Sequence, residues 1–188
     1  MNRPDLEAEL ASAGRAVSIR HFRALEAMGV PRGPLCDSWR HGHGFGVQRV
    51  TDAGNGLYYP AGEGDEAHLI LPVYEDGALV DLCAFRSVDP KGWMLRTGLG
   101  WALGVERGLE PHTWGDVVPL ALTPLEWLQQ GSVGLCVLDW DAPEVRYLVG
   151  VPHIVCSTPE HGETLRRALS TPVRFPNISV MEPLAYAA

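Results

Sequence analysis

Lysine is almost missing from this chain of 188 residues: Lys91 is the only one, and arginine supplies the rest of the 15 basic residues. Cationic recognition by the chain is therefore guanidinium-based, which suits carboxylate or phosphate partners. The 23 acidic residues outnumber the basic ones, and the net charge of −8 repels phosphate backbones at long range. Non-specific nucleic-acid binding is therefore disfavoured, although a local arginine patch stays compatible with this composition.

Long apolar runs and a secretory signal are also missing. The longest apolar stretches, such as residues 117–122 and 133–138, are far shorter than the roughly 20 residues that a transmembrane helix needs. The first residues, MNRPDLE, run directly into acidic, helix-forming sequence and contain no apolar signal region. We therefore expect a cytoplasmic protein that does not cross a membrane.

Cysteine is sparse, and no CxxC pair occurs. The four cysteines are Cys36, Cys83, Cys136 and Cys156. Three of them lie in strand-like apolar runs, where a free cysteine behaves as a small hydrophobic residue. Together with the missing secretory signal, this spacing predicts buried thiols and argues against a disulfide frame or a zinc knuckle.

The most unusual local stretch is RHGHGFG at residues 40–46. His41 and His43, with Cys36 nearby, would offer three zinc ligands, but a structural zinc site needs four and no fourth is evident. A flexible glycine-rich loop is the alternative. The stretch lacks the GxxxxGK[ST] order of a phosphate loop, and the chain has no GxSxG motif.

Apolar periodicity divides the first part of the chain into helices and strands. Residues 5–28 follow a helical period with a break at 14–18, which predicts two short helices. Ser18 would cap the second, which would end at Gly29, followed by a Gly- and Pro-containing connection. Short apolar runs then predict an antiparallel β-meander, with strands at residues 45–50, 56–59, 68–74, 79–86 and 93–96 and turns at 75–77 and 89–92.

After Trp114 strands alternate with helices, which predicts parallel strands joined by crossovers. The predicted strands are 117–122, 133–140 and 153–156, the helices are 123–130, 142–148 and 158–169, and an edge strand is predicted at 177–181. The fold class is therefore α+β, with N-terminal helices and an antiparallel β-meander followed by a small α/β unit with parallel strands. Residues 1–116 and 117–188 would form two domains, with one continuous domain as the alternative.

Two aspartates follow the central predicted strand. Asp139 and Asp141 lie two residues apart, so their side chains would point to the same side. The carboxyl ends of strands are where open α/β sheets bind ligands, and paired carboxylates suit Mg²⁺. These residues are therefore candidate ligands for a substrate or a metal. Alternatively, Asp141 caps a helix starting at Ala142 and Asp139 binds loop amides.

A second candidate site begins the last predicted helix. Thr158 and Gly162 lie where free backbone N–H groups can bind a ligand. Glu160 and Glu163 oppose an anion there and are explained equally well by the helix dipole. His161 and Glu160 are candidate acid or base groups, and a solvated histidine in the first turn is the alternative for His161.

The order of elements resembles that of the primase-type proteins of phages and plasmids. Residues 68–104, with LILPV at 69–73, GWML at 92–95 and ALG at 102–104, resemble the segment that precedes the Toprim unit in that family. Residues 118–169 are similar to Toprim itself, and the two passages cover about two-thirds of the chain. The resemblance implies that the second part is a small Toprim/Rossmann-like unit.

In that family a glutamate after the first strand acts in acid/base chemistry, and an Asp-x-Asp after a later strand holds Mg²⁺. The glutamate position here falls on Thr123 or Pro124, and the aspartate positions fall on Ser157 and Pro159, none of which is an acid. Because phosphoryl transfer by such a unit needs metal-held charge, loss of these acids should abolish it. The resemblance therefore implies a non-catalytic accessory protein of a mobile-element replication system, without a cofactor, that binds a protein or small ligand.

Two other functions are compatible with the sequence. One is a Mg²⁺-dependent enzyme that acts on a nucleotide or phosphate substrate through Asp139 and Asp141. The other is a general assembly module that acts through a protein partner or through homo-oligomerisation.

Overall fold

A computed structural model describes residues 4–40, 44–62, 66–108 and 117–170. The chain starts with three helices: α1 (Leu6–Arg15), α2 (Ile19–Ala27) and α3 (Arg32–Arg40). The first two confirm the pair predicted from the apolar period. Ser18 is the cap of α2, as expected, and its N–H donates to Nδ1 of His21 at 3.0 Å.

Helix α3 occupies residues that were predicted to form a connection. Its proline, Pro34, lies in the first turn, where a missing N–H is tolerated. Trp39 then packs edge-on against Phe22 and Phe45, with ring centroids 5.7 Å away in both cases. These aromatic contacts come from other elements, so local turn signals could not reveal the helix. His41 and His43 of the predicted loop lie outside the described residues.

The next five strands form a sheet that closes on itself in the order β1-β2-β5-β4-β3. The strands are β1 (Gly46–Gly54), β2 (Leu57–Pro60), β3 (Ala67–Glu75), β4 (Ala78–Arg86) and β5 (Asp89–Leu95). The sequential pairs β1–β2, β3–β4 and β4–β5 are antiparallel, as the predicted meander requires. The meander is wrong between β2 and β3: β3 pairs antiparallel with β1, and β2 pairs with β5. That closing pair is parallel and is joined at Leu57 and Leu95.

One of the two predicted turns of this closed sheet is confirmed and the other is wrong. Asp76 and Gly77 form the turn between β3 and β4, both in the left-handed region with φ of 50° and 77°. The next turn lies at residues 87–88, and residues 89–92 already belong to β5. The register shifts there, so the Pro and Gly signals mark an irregularity within the strand.

The second part of the chain contains both parallel and antiparallel strand pairs. Its elements are β6 (Ala102–Leu103), α4 (Val105–Gly108), β7 (Val117–Leu120), α5 (Pro124–Gln129), β8 (Cys136–Val137), a 3₁₀ helix (Pro143–Gly150), β9 (His153–Cys156) and α6 (Pro159–Ser170). Strands β7 and β9 are parallel, as predicted. Leu135 forms a parallel bridge to Leu120, whereas β8 pairs antiparallel with β6.

Two predicted elements of this part are wrong in extent or type. The predicted strand 133–140 shrinks to β8, because Gly134 adopts a left-handed φ of 70° and the N–H of Asp139 donates to the carbonyl of Trp101. The predicted helix 142–148 is a 3₁₀ helix, which Pro143 opens. The predicted edge strand 177–181 lies outside the described residues.

The apolar core crosses the sequence position at which a domain division was predicted. Phe45 and Leu71 of the first part share one buried cluster with Leu125 and Leu138 of the second. Residues 109–116 lie outside the described ranges, and the division stays a prediction. Cys83 and Cys136 are fully buried in this core, as predicted for thiols, and burial raises the pKa of both. Cys36 and Cys156 are only half-buried, so the prediction is wrong for them.

A buried carboxylate fixes the link from the closed sheet to β6. Asp81 of β4 is fully buried. Its carboxylate oxygens accept backbone N–H bonds from Leu82 at 2.8 Å, Arg96 at 3.0 Å, Thr97 at 2.9 Å, Leu99 at 2.8 Å and Gly100 at 3.0 Å. One side chain therefore organises the loop at residues 96–100.

In the ranges that the structure covers, no helix has the length and apolar character needed to cross a bilayer.

Candidate functional site

The carboxyl ends of β7 and β9 lie side by side because the two strands are parallel. Helices α5 and α6 begin just beyond these ends, and the turn at residues 138–141 follows β8. We call these three segments, with the side chains that they carry, the C-terminal edge. Ser157, just after β9, is linked to α5, since its hydroxyl donates to Oε2 of Glu126 at 3.3 Å.

Glu126 is the central hydrogen-bond acceptor of the C-terminal edge, and sequence reasoning did not identify it. Its Oε2 also accepts the N–H of Leu122 at 2.7 Å, and its Oε1 accepts Nε2 of Gln130 at 3.3 Å. Thr123 caps α5 by accepting the N–H of Glu126 at 3.1 Å. A cap residue followed three positions later by glutamate is the capping-box pattern, so the sequence did contain a signal for it.

His161 lies in the interior, so the solvated first-turn histidine considered above is wrong. Its exposed fraction is 3%, and its ring meets Trp140 edge-on at a centroid distance of 5.7 Å. Nδ1 is buried and has no hydrogen-bond partner among the described residues. Burial lowers the pKa of the imidazole from its ordinary 6.5, and the Glu126 carboxylate partly offsets this.

Asp139 and Asp141 both lie in the turn of the C-terminal edge, but their surroundings differ. Oδ1 of Asp139 accepts the N–H of Asp141 at 2.9 Å, so Asp139 does bind a loop amide. Asp141 is exposed and does not cap the following helix, because Ala142 occupies that position. No group of three or more His, Cys, Asp or Glu side chains suited to a metal occurs in the described part of the chain. The Mg²⁺ site at these aspartates stays a prediction.

The remaining candidates lie in the first turn of α6. Thr158 accepts the N–H of His161 at 3.2 Å, and the N–H of Gly162 donates to its carbonyl at 3.1 Å. Glu160 is exposed, and Glu163 forms an ion pair with Arg166. A Cβ added at Gly162 would meet no atom within 4 Å, so there is open space beside this backbone.

The positions to which the sequence resemblance assigns catalytic acids are occupied by residues with structural roles. Thr123 caps α5, Pro124 is buried at its first turn, and Ser157 donates to Glu126. Pro159 opens α6. The C-terminal edge therefore holds a carboxylate at its centre, although not at the positions that the resemblance assigns.

A comparison with known proteins finds no match to a family model, a curated protein or a solved structure. A cavity of about 100 Å³ lies between α3, the closed sheet and α5, and is lined by Leu35, Phe45, Leu71, Trp127 and Leu128 among others. Most of its walls belong to the shared core, and Tyr74, Glu106 and Ser132 add polar side chains to its lining.

The stability of the chain should depend on pH through His161. Because its pKa is lowered in the folded state, the unfolded chain takes up this proton first as the pH falls below 6.5. We expect the free energy of unfolding to fall with pH in that window, by at most about 1.4 kcal/mol per pH unit for one proton. Urea unfolding at pH 7.5 and 5.5 measures the effect.

Two variants separate His161 from the other histidines. His161→Phe keeps an aromatic ring and should lose this part of the pH dependence. His153→Gln, at an exposed position of β9, should keep it. Equal pH dependence in wild type and His161→Phe would contradict the assignment.

Proposed function

We propose that the chain is a non-catalytic, Toprim-like accessory protein of a mobile-element replication system. It acts in the cytoplasm by binding a protein or a small ligand at the C-terminal edge. Support comes from the parallel pair β7 and β9, with α5 and α6 following their carboxyl ends. Ligands of α/β sheets bind at such ends.

The proposal rests on which residues occupy the positions where the family has catalytic acids. Thr123 and Ser157 stand where the family has acids, and both hydroxyls are engaged in hydrogen bonds within the C-terminal edge. Pro124 and Pro159 have no ionisable group. A unit with these residues lacks the carboxylates that would hold Mg²⁺ for phosphoryl transfer. The C-terminal edge keeps polar side chains, among them Glu126 and Ser157, with which a partner could interact.

Primer synthesis is the direct test. Purified chain, supplied with a single-stranded DNA template, nucleoside triphosphates and Mg²⁺ or Mn²⁺, should make no product above a heat-inactivated sample. It should also leave supercoiled plasmid uncut. An active primase assayed in parallel shows that the conditions support synthesis, and primers made by the purified chain would refute the proposal.

Calorimetry in the same buffers tests the Mg²⁺-dependent alternative. We expect no saturable heat on adding Mg²⁺. Saturable binding that is lost in Asp139→Ala and kept in the distant control Asp52→Ala would favour the enzyme that uses Asp139 and Asp141. Asp52 is a suitable control because it is exposed and lies on β1.

A further inference from the structure

We propose that the cavity between α3, the closed sheet and α5 binds a small organic ammonium ion. The hydrocarbon group of this ligand lies among the leucine side chains of the cavity, and its charged end lies beside the Glu106 carboxylate. The inference goes beyond the proposed function and does not depend on it. It follows from three properties of the cavity: its access to solvent, its size and the charge at its opening.

The cavity is open to solvent over part of its boundary. Its lining residues fall into two sets by exposure. The buried set consists of Leu35, Phe45, Leu71 and Leu128. The half-buried set includes Tyr74, Glu106, Trp127 and Ser132. Because solvent reaches the second set, the cavity opens on their side and the leucines form its closed, apolar end.

The walls of the cavity have a fixed shape. Phe45 packs edge-on against Phe22 and Trp39, with ring centroids 5.2 Å and 5.7 Å away. The indole N–H of Trp127 donates to the carbonyl of Gly134 at 3.1 Å. These contacts hold the two rings in place before a ligand arrives. The cavity is therefore largely preformed, which lowers the entropic cost of binding.

The volume of the cavity limits the ligand to a small molecule. The cavity measures about 100 Å³. An apolar cavity of about 150 Å³ is large enough to bind benzene, so a hydrocarbon group of about four carbons fits here. Each CH₂ group that moves from water into such a space tightens binding about fourfold.

The opening of the cavity carries a negative charge. Among the described residues, Glu106 is the only charged one in the lining. Its Oε1 accepts the N–H of Gly77, which fixes the carboxylate at the opening. A carboxylate accepts about four hydrogen bonds, so Glu106 keeps capacity for an ammonium group.

The neighbouring tyrosine reports the same charge. Burial raises the pKa of Tyr74, and the carboxylates of Glu7 and Glu106 raise it further. Both carboxylates are therefore close enough to act on this hydroxyl. The potential at the opening favours a cation and opposes a carboxylate or a phosphate.

An organic ammonium ion uses both ends of the cavity. Its hydrocarbon group replaces water at the apolar end, and its N–H groups donate to Glu106. The aromatic rings of Tyr74 and Trp127 in the lining add an attraction for a cation close to their faces. A neutral alcohol gains only from the apolar end, and an inorganic cation gains only from the charge.

Ligand-observed NMR titrations of the purified chain test this preference. The probes n-butylammonium, 1-butanol and pentanoate share a butyl group and differ in charge. We expect n-butylammonium to bind at least fivefold more tightly than 1-butanol, and pentanoate to show no saturable binding. Methylammonium, which is three CH₂ groups shorter, should bind at least tenfold more weakly than n-butylammonium. Equal binding of n-butylammonium and 1-butanol, or no saturable binding of n-butylammonium, would overturn the inference.

A matched pair of charge variants decides whether Glu106 recognises the ammonium group. Glu106→Gln removes the charge and keeps an oxygen that can accept the N–H of Gly77. It should weaken n-butylammonium binding about tenfold and change 1-butanol binding less than twofold. The control Asp52→Asn removes an exposed charge on β1, outside the lining, and should change neither by more than twofold. Equal weakening by both variants would contradict the assignment, because net charge alone would then explain binding.

A larger side chain at the closed end locates the hydrocarbon group. Leu128→Phe narrows the cavity and should weaken binding of n-butylammonium and of 1-butanol at least fivefold. Circular dichroism shows whether this variant is folded. Unchanged binding by the folded variant would overturn the placement of the ligand in the cavity. If the variant does not fold, the comparison of methylammonium with n-butylammonium decides the same point, because it needs no substitution.

Discussion

Asp81→Asn should lower the free energy of unfolding by about 3 kcal/mol, and Asp81→Ala by more. The carboxylate accepts five backbone N–H bonds in a fully buried place. Asparagine keeps one acceptor oxygen, but its NH₂ group would face the N–H groups of Leu99 and Gly100 or those of Arg96 and Thr97. Small domains are stable by only about 5–15 kcal/mol, so the alanine variant should be close to unfolding at room temperature.

Urea unfolding followed by tryptophan fluorescence measures this loss. The matched control is Asp52→Asn, because Asp52 is exposed and accepts a single backbone bond, from the N–H of Gly54 at 2.7 Å. That change should cost less than about 1 kcal/mol. If Asp81→Asn were as stable as the control, the carboxylate would not be holding the loop together.

Gly134→Ala should cost several kcal/mol and reduce the yield of folded protein. A Cβ at this position would lie 2.1 Å from the carbonyl oxygen of Pro119, and φ is +70°, where residues with a side chain are strained. The obstacle is backbone of β7, which cannot move aside without breaking its pairing with Leu135 and β9. Overpacking of this kind costs about 1–3 kcal/mol before the strain in φ is added.

The control for this change is Gly162→Ala in α6. No atom lies within 4 Å of the added Cβ there, and alanine is preferred to glycine inside a helix by about 1 kcal/mol. Thermal unfolding should therefore show a raised melting temperature for Gly162→Ala and a strongly lowered one for Gly134→Ala. Two similar melting temperatures would show that the backbone near Gly134 can yield.

Sequence reasoning succeeded where local signals and contacts agree. Helix α2 begins after the predicted cap residue Ser18, whose N–H donates to Nδ1 of His21, and it ends before Gly29 as expected. The antiparallel pairing of β3 and β4 follows from the two-residue turn at Asp76 and Gly77. In each case the information lies within a few residues of the element.

Sequence reasoning failed where contacts between distant parts of the chain determine the structure. Helix α3 is held by aromatic contacts of Trp39, and the closed sheet depends on a parallel pair between Leu57 and Leu95 that no turn specifies. Part of the candidate site could be predicted from the sequence. His161 and Leu165 are both buried four positions apart, so the helical period of α6 already placed the histidine on the apolar face.

The pairing of β6 with β8 also bears on how the chain can be dissected. Leu103 and Cys136 face each other across this pair, and the N–H of Leu138 donates to the carbonyl of Trp101 at 2.7 Å. A fragment starting at residue 117 would present the edge of β8 and the apolar surface beneath it to solvent. Such an edge is a template for aggregation. The part of the chain before residue 117 and the part after it therefore cover each other's strand edges. A fragment of either part should be studied with the other part present.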